Sequence, residues 1–425
     1  MLDINLIRTE PQKVQKSLAK KGWKFDPQEL LALDEKRRLI RVEVEQTKAQ
    51  MNKLSAVVPQ VKKAGGDVNA LFTEVKALKL LNESKESELK ELDDKVFDIL
   101  AALPNMPDED LLPGEKENNK VVHTFGKMPH FDFPVKDHVE LCETLGIIDY
   151  KRAAKISGSG TWIYTGIGAQ LEWALLNFFI SEHLKAGYEM ILPPHILNYD
   201  SGFTAGQFPK FKEDVFWLEG SEPAKFLLPT SETALVNLHR DEILTDAELP
   251  KKYFAYTPCY RKEAGSYRTE ERGMIRGYQF NKVELFQYTK AEASPKAFEE
   301  MVVHAQGLVE KLGLHFQVSK LAAGDCSHGM ARTYDIEVYI PSMGIYKEVS
   351  SVSNARDYQA RRGMARYREK ETNTVKYLHT LNGSGLATSR LIPAIVEQYQ
   401  QADGSVVVPE VLRPFLGVSL LQKKA

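Results

Sequence analysis

The sequence has few cysteines, little net charge and no long apolar run. Its 425 residues include three cysteines, 43% apolar residues and a formal net charge of −2, which allows two or three domains with a sizeable core. Cys142, Cys259 and Cys326 are odd in number and none belongs to a CxxC pair, so neither a disulfide framework nor a structural zinc site is expected. No apolar run approaches the roughly 18 residues that span a bilayer, and the first residues lack a signal-peptide pattern. We therefore expect a cytoplasmic protein with no membrane partner.

A heptad pattern in the first hundred residues predicts two helices that fold back on each other as an arm, at about 28–103. Apolar residues recur at alternating spacings of three and four, the period of a coiled-coil seam. The pattern is mirrored about the turn Gly65-Gly66-Asp67, so that Val61 faces Leu71. At about 1.5 Å per residue, the arm extends roughly 45 to 50 Å. The predicted seam residues are Leu30, Leu33, Arg37, Ile40, Val44, Thr47, Met51, Leu54, Val58 and Val61, and then Leu71, Val75, Leu78, Asn82, Lys85, Leu89, Leu92, Val96, Ile99 and Leu103.

The charge of the arm leaves its partner open. Its basic residues would suit a phosphate backbone, but acidic residues are interspersed nearly as densely. From charge alone, a solvated coiled coil or a protein-docking arm fits about as well as an RNA-binding arm. The run PNMPDEDLLPGEKENN after Leu103 is rich in proline, acids and asparagine and predicts a linker, with bounds of 105–125. This leaves an N-terminal domain at 1–104 and a second domain at 126–425.

The second domain has the pattern of an α+β fold with an antiparallel sheet. The runs KYFAYTP, GYQFNKVELFQYT, TYDIEVYIP and IYKEVSSVS are strand-like and lie close together in the chain. A helix is expected from about Ala169 to a glycine stop at Gly187. The GIG at 166–168 lacks a third glycine and a preceding parallel-strand pattern, so we reject a dinucleotide-binding fold.

The stretch 259–288 carries the most informative charges. Period two places Arg261 and Glu263 on one face of a first strand, and Phe280, Lys282 and Glu284 on one face of a second. An aromatic ring, a guanidinium and carboxylates on a shared surface suit a nucleotide beside a zwitterion. From this segment alone, a solvated hairpin with cross-strand ion pairs, each contributing less than about 1 kcal/mol, is the alternative.

Four separated motifs, in order, resemble those of the bacterial-type seryl-tRNA synthetases, a class II aminoacyl-tRNA synthetase family. GYEMILPPHILNYDSGFTAGQFPKF resembles the first motif, which builds a homodimer interface, and LLPTSETALVN resembles the TxE serine-binding segment. The stretch 259–288 resembles the second motif, and LNGSGLATSRLIPAIVEQYQ resembles the third. YKEVSSVSNARDYQARR resembles the ExSS run, and the heptad arm resembles the tRNA-binding arm of that family.

The resemblance implies a class II catalytic domain that ligates L-serine to tRNA(Ser) through a seryl-adenylate, with ATP as substrate and Mg²⁺ as cofactor. It also suggests serylation of tRNA(Sec). The implied catalytic residues are Arg261, Arg276, Lys282 and Arg390. The implied ATP contacts are Arg261, Lys262, Glu263, Arg276, Phe280, Glu348, Val349, Ser350, Ser351 and Arg390, of which Glu348 and Ser351 would also bind Mg²⁺. The implied serine contacts are Thr230, Ser231, Glu232, Arg261, Glu284, Asn382 and Ser384.

The chain departs from the resembled motifs at three places. The loop SYRTEERG replaces SAGRDTRG, and Ala355 and Arg356 replace a Cys-Thr pair. Ser389 stands where the third motif has glycine, so a positive φ there would add strain of about 1 kcal/mol.

Two rival functions are a ligase that transfers the amino acid to a carrier protein and an inactive paralogue that docks partners through its arm. Relatives of the first kind lack the long arm, and a chain of the second kind would be expected to lose its charged pocket residues. Only 35 residues follow Arg390, too few for a C-terminal anticodon-binding domain, so we expect the arm to bind the RNA.

Overall fold

The computed structural model describes residues 1–263 and 273–423, which form two compact units. The smaller unit comprises Leu2–Ala19 and Lys24–Leu103, and the larger comprises Met1, Lys20–Trp23 and the chain from Pro104 onward. Over the described ranges, no helix combines the length and the apolar character needed to cross a membrane.

The smaller unit contains the predicted helical arm. Asp26 caps the first long helix by accepting a hydrogen bond from the Gln28 amide, and a proline follows at the first helical position. All the predicted seam residues are buried or half-buried, and the turn between the long helices contains Gly65-Gly66-Asp67, as the mirrored pattern predicts. Pro59 lies inside the first long helix, which continues beyond it. The helices are α1 (Ile4–Thr9), α2 (Pro11–Lys20), α3 (Pro27–Lys63) and α4 (Asn69–Ala102).

A buried carboxylate ties α1 to α3. Asp34 is fully buried, and its two oxygens lie 2.6 Å from Arg8 Nε and 2.6 Å from Arg37 Nη2. Arg38 Nε approaches within 3.3 Å. Burial alone would raise the pKa of Asp34, but the hydrogen bonds and charges of Arg8 and Arg37 lower it below its ordinary value. The ionised carboxylate is therefore the form that the folded unit stabilises.

The larger unit is an α+β fold built on a predominantly antiparallel sheet, which confirms the predicted fold class. Its helices are α5 (His138–Leu145), α6 (Tyr150–Ser157), α7 (Ile167–Lys185), α8 (Tyr199–Thr204), α9 (Glu232–Leu235), α10 (Ser294–Lys311), α11 (Tyr358–Gly363), α12 (Thr388–Gln398) and α13 (Arg413–Leu416). Its strands are β1 (Lys120–Phe125), β2 (Ile148–Asp149), β3 (Ile163–Tyr164), β4 (Glu189–Met190), β5 (Ile196–Asn198), β6 (Lys225–Leu227), β7 (Ile243–Thr245), β8 (Lys251–Tyr260), β9 (Gln279–Thr289), β10 (Phe316–Lys320), β11 (Arg332–Ile340), β12 (Ile345–Arg356), β13 (Arg366–Arg368), β14 (Val375–Tyr377), β15 (His379–Ala387), β16 (Val406–Val407) and β17 (Leu420–Leu421).

The main sheet has the strand order β1-β10-β11-β12-β15-β9-β8-β4. Only the β4–β8 pair is parallel among the pairs in the described ranges of this sheet. The four strand-like runs become β8, β9, β11 and β12, and the predicted helix becomes α7. The main core contains Phe179 of α7, Phe298 of α10 and Ile395 of α12 together with inward residues of the sheet.

One segment differs from the sequence prediction. Residues 105–125 were expected to be a linker without regular elements, but Lys120–Phe125 form β1 and pair with β10. The preceding residues are also held in place, because Asn105 is buried and its side-chain amide donates to the carbonyls of Gly329 and Ala355. These contacts join the segment to residues far away in the chain, so they could not be predicted from its proline and acid content.

We expect Asp34→Asn to destabilise the smaller unit by about 3 kcal/mol, because the change leaves the arginines without their shared buried carboxylate. The measurement is urea-induced unfolding of the helical signal. Since the pKa of Asp34 is lowered in the fold, its stabilisation is present above the ordinary aspartate pKa and is lost as the pH falls below it. Asp94→Asn, an exposed position on α4, is the matched control and should change stability by no more than about 0.5 kcal/mol. Equal effects of the two substitutions would contradict this account.

Candidate active site

The antiparallel pair β8 and β9 brings the predicted charged residues together, with one correction. The register pairs Ala255 with Glu284 and Thr257 with Lys282. Arg261 and Glu263 were predicted on the first strand, but β8 ends at Tyr260 and both residues follow it. Glu263 has a φ of 50°, so the chain has already turned out of the extended conformation that would continue the alternation. Most of the predicted loop SYRTEERG lies outside the described residues.

A cavity of about 520 Å³ opens beside these two strands. Most of the predicted site residues line it, although they come from segments far apart in the chain. These residues are Thr230, Glu232, Arg261, Glu263, Arg276, Lys282, Glu284, Glu348, Ser351, Asn382 and Ser384.

The remaining predicted site residues do not line the cavity. Val349 packs in the main core, Ser231 bonds Thr257 within the protein, and the Ser350 hydroxyl donates to the Ser384 carbonyl. The side chains of these three residues are therefore taken up by contacts within the protein. Lys262 lies at the end of the hairpin, where its amide donates to Asp214 O.

Phe280 and Arg390 are not among the lining residues, but each contacts one of them. The Arg261 guanidinium carbon is 5.1 Å from the centre of the Phe280 ring, a distance suited to a cation–π contact. Arg390 Nη1 donates to the Glu348 carbonyl at 2.8 Å and lies 3.5 Å from Glu348 Oε2. Both residues thus contact cavity-lining side chains that were predicted to act with them.

A bulge in β12 explains how Glu348 reaches the cavity. Strict alternation would put Glu348 on the opposite face from Ser351 and Ser353. Ser350 pairs with Ile336 and Glu348 with Glu337, so Val349 is the extra residue in β12. One extra residue reverses the alternation, and all three side chains line the same cavity.

Opposite charges meet at the floor of the cavity. Lys282 Nζ lies 2.5 Å from Glu284 Oε2 and donates to Thr230 Oγ1 at 2.6 Å. Both charged side chains are buried. Asn382 donates to Glu284 Oε1 at 3.1 Å, while its own buried Oδ1 has no hydrogen-bond partner within the described ranges. That oxygen is a buried acceptor on a residue that lines the cavity.

Glu232 adds a second carboxylate to this floor. It is buried, and Gln359 Nε2 donates to its Oε1 at 2.7 Å. Burial, followed by the negative charge of Glu284, raises the pKa of Glu232 to about 7. The charges of Lys282 and Arg261 act in the opposite direction. A carboxylate with this pKa is half-ionised near neutral pH, and a cationic ligand beside it would favour its ionised form.

The outer part of the cavity holds further ion pairs. Arg276 pairs with Glu263 through its Nε. Burial alone would raise the pKa of Glu348, but Arg390, the hydrogen bond from Ser351, and then Arg261 and Lys282 lower it. These neighbours therefore favour the ionised form of Glu348.

The donor set near Glu348 fits a magnesium ion. Ser351 Oγ lies 3.1 Å from Glu348 Oε1 and 2.6 Å from Asp335 Oδ1. Within the residues that the structure describes, no group of three or more His, Cys, Asp or Glu side chains could hold a metal by itself. Mg²⁺ needs fewer protein ligands, because it commonly takes one or two carboxylates together with phosphate oxygens and water. Asp335 was not predicted from the sequence.

Two of the three departures from the resembled motifs, Ser389 and the Ala355-Arg356 pair, lie within the described residues. Ser389 is the second residue of α12 and has no positive φ, so the anticipated strain does not arise. Arg356 does have a positive φ, of 54°, and its guanidinium pairs with Asp108 at 2.8 Å. The substituted pair therefore contacts the segment before β1 and lies outside the cavity lining.

Sequence reasoning missed several parts of the cavity lining, among them residues 205–207 and a wall at 327–330. It also missed the lysine that holds this wall. Lys21 Nζ donates to the carbonyls of Met330 at 2.7 Å and Ser327 at 3.0 Å, and lies 3.5 Å from His328 O. Burial lowers the pKa of Lys21 to about 8. The Trp23 ring packs edge-on against His328, with centres 5.6 Å apart. No local pattern signals these contacts, which join residues some 300 positions apart in sequence.

We expect Lys21→Met to loosen this wall, because three carbonyls lose a shared donor, at a cost of about 1–3 kcal/mol. The measurement is hydrogen–deuterium exchange of peptides that cover 326–331, which should exchange faster. Lys24→Met, at an exposed position, is the control and should leave these peptides unchanged. Unaltered exchange in the Lys21 variant would show that the wall holds itself.

Comparison with known proteins agrees with this geometry. The family described as "Seryl-tRNA synthetase N-terminal domain" matches residues 1–107, and the family "tRNA synthetase class II core domain (G, H, P, S and T)" matches residues 216–399. "Serine--tRNA ligase 2" of Clostridium acetobutylicum is 60% identical over 98% of this chain and 99% of its own length. "Serine--tRNA ligase" of Thermodesulfovibrio yellowstonii is 44% identical over 99% of this chain and 100% of its own.

A solved structure extends the likeness to the whole fold. The seryl-tRNA synthetase from Pyrococcus horikoshii, crystallised in complex with ATP, superposes with a TM-score of 0.92 at 31% identity and covers 100% of both chains. The N-terminal match, the class II core and the full-length identity to two bacterial ligases agree with one another. The chain therefore belongs to the seryl-tRNA synthetase family of class II aminoacyl-tRNA synthetases.

Proposed function

We propose that this protein ligates L-serine to tRNA(Ser) at the expense of ATP, through an enzyme-bound seryl-adenylate. The observation that carries the proposal is the convergence of Arg261, Arg276 and Lys282 with Glu232 and Glu284 around one cavity. Cations suit a triphosphate and carboxylates suit an ammonium. A substrate pair that carries both groups would satisfy the two sets of charges together.

In the first step, a serine carboxylate oxygen would form a bond to the α-phosphorus of ATP while the bond to the bridging oxygen breaks and pyrophosphate leaves. Two anions must meet in line, so positioning and charge neutralisation supply most of the rate. Arg261 would hold the α-phosphate, while Arg276 and Arg390 would hold the outer phosphates. No protein nucleophile is required. The tRNA's terminal ribose hydroxyl would then attack the carbonyl carbon of the adenylate and release AMP.

The adenine would lie between Phe280 and Glu263, where the ring offers a stacking face and the carboxylate accepts from the exocyclic amine. Arg276 now pairs with Glu263, so ATP would exchange this ion pair for contacts with its base and its phosphates. Glu348 and Ser351 would hold Mg²⁺. When bound, the ion neutralises part of the phosphate charge.

The serine would sit on the floor of the cavity. Thr230, Glu232 and Glu284 would receive its ammonium, and Asn382 and Ser384 would lie near its side chain. This placement is supported by the position of Asn382 and Ser384 in the cavity lining and by the hydrogen bond from Asn382 to Glu284. A site built to bond a hydroxyl rejects analogues that lack it, often by about 10⁴ or more.

The proposal extends to partners. The two-helix arm would bind the RNA, with tRNA(Sec) as a further substrate beside tRNA(Ser). A homodimer would form through the first motif, and the exposure of Leu192 and Ile196 within that motif supports an apolar partner surface there. We propose a cytoplasmic location on the ground that translation uses these substrates there. The limits 1–104 and 126–425 of the two domains remain predictions.

We expect serine, alone among the twenty amino acids, to drive exchange of labelled pyrophosphate into ATP in the absence of RNA. Glu284→Gln should lower kcat/KM for serine at least about tenfold, because a charge-assisted contact to the ammonium is lost. Glu292→Gln, an exposed residue beyond β9, is the matched control and should behave as the unmodified protein. Absence of exchange with serine, glycine and alanine would remove the synthetase proposal altogether.

A second experiment concerns the arm. Deletion of residues 36–95 should spare the exchange reaction and abolish charging of tRNA(Ser) and tRNA(Sec), because these residues contain most of α3 and α4. The exchange rate serves as the internal control for an intact catalytic unit. Loss of both activities would mean that the arm supports the fold, and retained charging would mean that RNA binds elsewhere.

A further inference from the structure

Gln359 is a buried residue of α11 whose whole amide is used. Its Nε2 donates to Glu232 Oε1 at 2.7 Å and to the Ala205 carbonyl at 3.0 Å, and its Oε1 accepts from Thr380 Oγ1 at 2.6 Å. The amide orientation follows from these partners. A carboxylate and a carbonyl both need donors, so a flipped amide would face oxygen with oxygen.

The partner that distinguishes Gln359 from an ordinary core glutamine is Glu232. Glu232 lines the cavity, whereas Gln359 does not. The groups that act electrostatically on Glu232 are Glu284 and Lys282 of β9 and Arg261 beyond β8, with Gln359 as a hydrogen-bond donor. A carboxylate between a like charge and two cations can rotate toward either, and the donated hydrogen bond fixes one of its oxygens.

We propose that Gln359 is a positioning residue, which holds the Glu232 carboxylate in the orientation that receives the substrate ammonium and favours its charged form. The inference deepens the proposed function and rests on it. A donor toward a carboxylate stabilises the ionised state, which is the state that attracts an ammonium. The pKa of Glu232, about 7, already reflects this hydrogen bond, which lowers it. Without the bond, the pKa of Glu232 would be higher.

The experiment measures kcat/KM for serine in pyrophosphate exchange from about pH 6 to about pH 8.5. This ratio reports the ionisation of the free enzyme, so the unmodified protein should lose activity below an acid limb near pH 7. Gln359→Met removes the donors, and the limb should move to higher pH by about one unit, which is a tenfold change in proton affinity. At pH 7 the ratio should fall several-fold and recover as the pH rises, with kcat/KM for ATP changing less than twofold.

Gln359→Glu is the second variant and keeps the size of the side chain. Two adjacent carboxyl groups cannot both ionise easily, so the limb should move further than in Gln359→Met. Gln287→Met is the matched control. Gln287 is equally buried and donates to the Tyr188 hydroxyl at 2.6 Å, on the core side of β9, so this change should lower stability and leave the limb in place.

The outcomes separate the two proposals. If the unmodified protein shows no serine-dependent exchange, the proposed function fails and this inference fails with it. If it does exchange, but both Gln359 variants lose the same factor at every pH, Gln359 is only structural and the inference alone is overturned. Should Gln359→Met fail to fold, the direction of the limb in Gln359→Glu decides the matter.

Discussion

Charge compensation within one cavity is the constraint on which the rest of this structure depends. Lys282 and Glu284 are both buried on β9, and either charge would strongly destabilise the fold there without the other nearby. Their neighbour β15 brings Asn382 to Glu284, and the end of β8 brings Arg261. The antiparallel pairing of the three strands is therefore what makes the charged floor possible, and a substrate that carries both signs fits a floor that already balances them.

Sequence patterns captured the parts of the fold that repeat. The seam of the arm follows a fixed period, so each of its residues from Leu30 to Ile99 is at least half-buried. Period two on β9 likewise grouped Lys282 with Glu284, because an uninterrupted strand keeps its alternation. The resemblance of the motifs supplied residues such as Thr230 and Asn382, whose place in the cavity no local pattern reveals.

Other parts depend on irregularities or on distant partners. The bulge at Val349 reverses the alternation of β12, so strict period two predicts the wrong face for Glu348. Because β8 ends before Arg261, the same rule wrongly assigns Arg261 to a strand. Residues 120–125 fall within the predicted linker, next to a run rich in proline and acids, but they form the edge strand of the sheet. The contacts of Gln359 with Glu232 and of Lys21 with Met330 span more than a hundred positions, and their energies arise only when the chain is folded.

The lysine that holds the 327–330 wall has a consequence for how this chain can be divided. Residues 20–23 belong to the larger unit even though the segments on either side of them belong to the smaller one. A fragment that starts at Pro104 would keep every strand of the main sheet and still lack the ammonium that three of its carbonyls share. Truncation to the residues from Pro104 onward would therefore keep the main sheet but remove the lysine that holds the 327–330 wall. The shortest chain that keeps this wall held must include residues 20–23 as well, so it is discontinuous in sequence.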